Sequence, residues 1–240
     1  MKNNLFNKKI SEIVEKEKPY GIILVGSLAR MSELEIDKAR DIDIFVIVDK
    51  AEFQREVINV EGLEFDISYM PLNLLQLSMT KRISSVICVL AKSKVLYKSN
   101  DTLKEYLDKI KTIYEEGSFT LDDYNINYTR FKLTQSYLTV KSRREDRVNF
   151  EFLSGIFIKE LLNSYFKLNK IWIPPDKRML KSIEDRKLID MIEKYYSGND
   201  KDTHAEDKLD KLESILNHVI EPFGGTLLLW EKGEYPFDFI

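Results

Sequence analysis

The chain holds a single cysteine, Cys88, so no intrachain disulfide can form. Its apolar setting in SSVICVLAK reads as a small buried residue in a reducing compartment. Histidine is almost as scarce. His204 and His218 stand far apart with no ligand-like spacing, and each reads as a solvated side chain. No stretch approaches the roughly 20 apolar residues needed to cross a bilayer. The opening MKNNLFNKKISEIVEKEK lacks the apolar core of a signal peptide, so the expectation is a cytoplasmic protein with no membrane partner. The sequence also lacks a Gly-x4-Gly-Lys-Ser/Thr phosphate loop and any dinucleotide fingerprint, which excludes a P-loop kinase and a Rossmann enzyme. There is no internal repeat and no low-complexity tract. A net charge of −3 gives no global pull toward nucleic acid or anionic lipid, so a polyanion would need a local basic patch.

What is present is an ordinary globular balance, 43% apolar and 32% charged, over 240 residues. That length gives room for one large domain or two modest ones. Residues 5–18 place Leu5, Phe6, Ile10, Ile13 and Val14 on one helical stripe that Pro19 ends. Strands are expected at 20–25, 41–48, 53–60, 63–69 and 95–97, with a turn at Glu61-Gly62, a helix opened by Pro71 and an apolar segment at 84–91. From residue 101 onward the pattern changes to helical spacing, at 101–116, 121–144, 149–168, 178–196 and 205–220. The fold class expected is α+β. A small mixed β-sheet module with flanking helices occupies residues 1–99, and an all-α bundle occupies 100–240.

Chemistry concentrates at one place. The apolar run Gly21 to Val25 ends in Gly26-Ser27, a tight turn leaving a buried strand, and Ser27 is placed to N-cap a short helix. Thirteen residues separate Ser27 from Asp41-Ile42-Asp43-Ile44. Acids at i and i+2 of a strand project from one face. Two carboxylates side by side repel, and a divalent cation between them relieves that cost; Mg²⁺ favours carboxylate oxygens together with a substrate's phosphates. A Gly-Ser turn offers backbone N–H groups and a hydroxyl to those phosphates. Asp66, in the alternating run Leu63-Glu64-Phe65-Asp66-Ile67, supplies a third strand acid, with Glu64 on the same face in reserve. Arg30, one turn after Ser27, either reaches a phosphate or braces the loop. The run from Lys141 to Arg147 mixes signs and reads as a solvated helix end.

These residues resemble the nucleotidyltransferases of the DNA polymerase beta superfamily. The signature there is an apolar residue, Gly, then Gly or Ser, a gap, and Asp-apolar-Asp or Glu. Val25-Gly26-Ser27 and Asp41-Ile42-Asp43 match it, and the extension Gly26-Ser27-Leu28-Ala29-Arg30 is similar to small bacterial members such as aminoglycoside nucleotidyltransferases. The resemblance covers roughly residues 20 to 98. It implies that Asp41, Asp43 and Asp66 hold two Mg²⁺ ions, which stabilise the attacking and leaving oxygens of an in-line displacement. Gly26, Ser27 and Arg30 would bind the nucleotide, and Asp66 would either complete the metal site or take the acceptor's proton. It further implies transfer of AMP from ATP, or of another nucleoside monophosphate, to a hydroxyl of a small-molecule acceptor, which could be aminoglycoside-like and bound by the helical half. Size and acidic charge favour a small molecule over nucleic acid. The rivals are nucleotidylation of tRNA or protein, and a non-catalytic nucleotide-binding or toxin–antitoxin module of the same fold.

Overall fold

Strict apolar alternation builds a sheet before any helix is placed. In β2 (Asp41–Val48), Ile42, Ile44, Val46 and Val48 turn to one face, and in β4 (Leu63–Pro71), Leu63, Phe65, Ile67 and Tyr69 do the same. All eight are buried, in one cluster with Ile22 and Leu24 of β1 (Gly21–Leu24) and with Phe6 and Ile13 of α1 (Lys2–Glu17). Removing each such side chain from water stabilises the fold by about 1.5–3 kcal/mol. The computed structural model describes residues 2–32, 34–197 and 205–231. Its sheet has the order β3-β4-β2-β1-β5, with β3 at Gln54–Val60 and β5 at Lys94–Lys98.

Among the described residues only the β2–β4 pair is parallel. A parallel pair needs a crossover, and here β3 itself is the return path. It hairpins into β4 through Glu61 and Gly62, whose φ values are +50° and +83°, as a two-residue hairpin loop requires. Asn59 Oδ1 accepts from the Gly62 N–H at 2.9 Å and tightens that turn.

The opposite face of the sheet carries Gly21, Ile23, Ile47 and Met70, toward which α2 (Leu72–Thr80), α3 (Ser84–Leu90) and α4 (Thr102–Glu116) supply buried side chains. Gly21 is required because a Cβ there would overlap Leu103 Cδ2 of α4 and lie 2.7 Å from the Tyr97 carbonyl. Arg82 ties this layer to the end of α4, donating to the Gly117 carbonyl at 2.7 Å and pairing with Glu116. Two compact units result, Met1–Ser118 and Phe119–Ile240. The division falls one helix later than the boundary expected near Asn100, since Leu103, Leu107 and Ile110 are buried in the first unit's packing. Cys88 is half-buried rather than fully enclosed, and burial pushes its thiol pKa up.

In the second unit three helices start on aspartate caps. Asp122, Asp146 and Asp185 accept from the N–H groups of Asn125, Asn149 and Leu188 at 2.8, 3.2 and 3.0 Å. They open α5 (Asp123–Lys141), α6 (Arg147–Leu168) and α7 (Arg186–Tyr196). The expected single helix over 178–196 is therefore corrected. Its first part is two 3₁₀ turns, Asp176–Arg178 and Leu180–Ser182, and the helix begins only after the Asp185 cap. The last helix, α8 (Ala205–Ile220), contributes Leu209, Leu212, Ile215, Leu216 and Val219 to a core shared with Phe157, Leu161 and Phe166 of α6. His218 is not a solvated side chain as expected. Its Nε2 lies 2.7 Å from Asp185 Oδ2, and both residues are partly buried. His204 lies outside the described residues. The chain then returns over α5, where the Trp230 ring meets Tyr124, Tyr128 and Phe131 at centroid distances of 5.4, 5.5 and 5.6 Å. Among the described residues no helix is long and apolar enough to cross a membrane.

Burial works to raise the Asp185 carboxyl, but the Leu188 N–H and the His218 ring outweigh it and hold the group below its ordinary 3.8. A carboxyl lowered on folding stabilises the protein at neutral pH, and that contribution fades as pH falls from 3.8 toward the folded-state value. Asp185→Ala should cost about 1 kcal/mol at neutral pH through loss of the cap. Urea unfolding of both proteins should show the gap narrowing below the ordinary carboxylate range.

Candidate active site

The β2–β4 register decides the site. It sets Asp43 directly opposite Asp66 and Asp41 opposite Glu64, all four on the face away from α1. Neighbouring strands lie about 4.8 Å apart, so four acids meet within two rungs of one ladder. Asp41, Asp43 and Asp66 are half-buried, and Glu64 is exposed.

Backbone pairing brings the glycine turn to the same place. The Val25 N–H donates to the Asp43 carbonyl at 2.9 Å, carrying the β1–β2 ladder one residue past β1. Gly26 follows with φ +73°, and a Cβ on it would overlap Asp43 Oδ2. Only glycine meets both demands, so Gly26 is the floor on which the Asp43 carboxylate rests. The expectation for Ser27 is corrected. It adopts αR backbone angles (φ −71°, ψ −41°), makes no side-chain cap and precedes a single 3₁₀ turn, Leu28–Arg30, instead of a helix. That turn is anchored by buried Leu28 and Ala29, while Ser27 and Arg30 stay exposed.

The sequence reading missed Arg55. From β3 its Nε donates to Asp66 Oδ1 at 2.7 Å and its Nη2 to Asp66 Oδ2, a two-point grip on the carboxylate. These bonds hold the Asp66 carboxyl below its usual value against the opposing effect of burial. The same bonds raise the Arg55 guanidinium, to which Asp43 adds a smaller field. The signal was available in principle. The two-residue Glu61-Gly62 turn fixes Val57 opposite Asp66 and Arg55 opposite Ser68, a diagonal neighbour on the same face. The Arg55 side chain is 60% exposed, and an ion pair so open to water is weak.

A cavity of about 360 Å³ opens here, within the size range of small-molecule sites. Asp43, Asp66, Arg30 and Arg55 supply its charges, the Gly26 turn part of its wall, and Phe45 and Phe53 an apolar side. Asp41 and Ser27 are not among its walls. Among the described residues no group of three or more His, Cys, Asp or Glu side chains is gathered closely enough to hold a metal ion. Both Asp66 oxygens accept from Arg55.

No protein-family model matches the chain, and no curated protein matches it in sequence. Among solved structures, a nucleotidyltransferase-like protein from Exiguobacterium sibiricum superposes with a TM-score of 0.53 at 11% identity, over 92% of this chain and 73% of that one. The chain has a nucleotidyltransferase-like fold. At that identity the likeness concerns the fold alone, and chemistry must be argued from the residues in place.

Gly26 and Gly62 both have positive φ, but a Cβ on Gly62 meets nothing within 4 Å. Gly62→Ala should cost about 1 kcal/mol of backbone strain. Gly26→Ala should cost clearly more, because it also displaces the Asp43 carboxylate. Equal losses in paired denaturant titrations would contradict the steric account of Gly26.

Proposed function

We propose that this chain is a Mg²⁺-dependent nucleotidyltransferase that moves a nucleoside monophosphate, AMP from ATP, onto a hydroxyl of a small-molecule acceptor. The observation that carries this reading is the in-register opposition of Asp43 and Asp66 beside the Gly26 turn. The donor base and the acceptor class come from the resemblance of Val25-Gly26-Ser27 and Asp41-Ile42-Asp43 to the polymerase beta superfamily.

The donor set fits a hard cation. Asp41 and Asp43 are oxygen ligands two residues apart on one strand face, and Asp43 is seated in a cradle that any Cβ would fill. When bound, Mg²⁺ would neutralise phosphate charge and lower the barrier to displacement. The chain's residues would do the rest. Arg30 and the backbone of the Gly26 turn would orient the triphosphate. Ser27 would contribute as an exposed hydroxyl beside that turn, and not through a helix N-terminus. The acceptor hydroxyl oxygen would form a bond to the α-phosphorus while the bond to the β-phosphate oxygen breaks. Pyrophosphate would leave with that electron pair, and the hydroxyl proton would pass to a base. An arginine-paired carboxylate is a poor base. Asp66 therefore suits the role of third metal-site carboxylate better than that of proton acceptor while Arg55 holds it.

The same pair supports a second reading, a nucleotide-binding module that performs no transfer, because Arg55 already satisfies the third carboxylate. One experiment separates the two. The protein is incubated with isotopically labelled nucleoside triphosphates, Mg²⁺ and pooled hydroxyl-bearing acceptors, and products are read by mass spectrometry. Transfer is expected, and Asp43→Asn or Asp41→Asn should lower it by on the order of 10²-fold or more. Neither variant should melt earlier, since each removes like-charge repulsion. Retained nucleotide binding without any product would favour the second reading.

A further inference from the structure

Arg55 grips Asp66 at the wall of the cavity. It is one of two cations in the walls, opposite the acids on which the proposed reaction depends. Its guanidinium is mostly exposed, and its position on β3, the edge strand of the sheet, leaves the side chain room to turn. Guanidinium grips carboxylate and phosphate with the same two-point geometry. A triphosphate brings more negative charge than the single carboxylate it would displace, and the exposed pair it must break is weak.

Resting on the nucleotidyltransferase reading, we propose that Arg55 is an exchangeable clamp: without nucleotide it grips Asp66 and withholds that carboxylate from a cation, and a bound nucleoside triphosphate draws it onto phosphate oxygens and releases Asp66. Two consequences follow. The cation site lacks Asp66 in the free protein, because Arg55 occupies both of its oxygens. Nucleotide and divalent cation therefore bind cooperatively, each favouring the arrangement in which Asp66 is free.

The clamp predicts opposite signs for two binding equilibria, which a merely structural ion pair would not. Affinities of the full chain are measured by calorimetry for ATP with chelator present, and for Mn²⁺ without nucleotide. Arg55→Met should weaken metal-free ATP binding by about tenfold or more, the loss expected for a charge-assisted contact. It should tighten nucleotide-free Mn²⁺ binding several-fold, because Asp66 is no longer held. Asp66→Asn should do the reverse, strengthening metal-free ATP binding by leaving Arg55 unpaired and giving no gain for Mn²⁺. Arg55→Lys, which keeps the charge but not the two-point grip, should fall between Arg55→Met and the wild type. If the wild type binds both ligands and Arg55→Met changes neither affinity, or moves both in the same direction, the clamp is wrong and the nucleotidyltransferase reading stands. If the wild type binds neither ATP nor Mn²⁺ even when the two are supplied together, both are wrong.

Discussion

The first unit depends on one pairing, the parallel ladder between β2 and β4. Strand β4 is inserted between β2 and β3, so both of its edges are used, and its register to β2 is fixed by eight consecutive pairs from Asp41–Glu64 to Val48–Pro71. A slip of β4 by one residue would turn Leu63, Phe65 and Ile67 out of the core and carry Glu64 and Asp66 into it. The same apolar burial that holds the sheet together therefore sets Asp43 against Asp66. The charge repulsion at that rung is imposed by hydrophobic energy that far exceeds it, and the surrounding residues are arranged to relieve it.

Two features bear on these acids in different ways. Gly26 yields its side-chain volume to the Asp43 carboxylate. Arg55 answers Asp66 with a charge, which leaves that group conditional. Under the proposed reading, that difference would separate a standing cation ligand from one that substrate releases. The second unit draws on separate means, aspartate caps on three helices and a large apolar core, and its His218–Asp185 contact joins α8 to the start of α7.

The sequence made the strands and their acids legible because alternation is local and has a period of two. Asp41, Asp43 and Asp66 could be assigned to strand faces without any knowledge of packing, and the five strands fall where the pattern puts them. Longer-range facts were harder to read. Arg55 became a partner of Asp66 only through the β3–β4 register. The amphipathic stripe of α4 revealed a buried face but not which core receives it, so the division between units lies at Ser118 and not near Asn100. Ser27 had the composition of a cap, yet it makes no side-chain cap and the chain makes a single 3₁₀ turn there, which carries the buried Leu28 and Ala29. His218 looked solvated because its partner lies 33 residues away in sequence.

The central claim is that the β2–β4 acids and the Gly26 turn form one cation-dependent nucleotide site. Paramagnetic broadening tests it most directly. Mn²⁺ is titrated in substoichiometric steps into isotopically labelled protein in the presence of ATP, and backbone amide signals are followed by NMR. The account predicts that the amides of Gly26, Ile42, Asp43 and Asp66 are among the first to disappear. Persistence of these four signals while others vanish would contradict it.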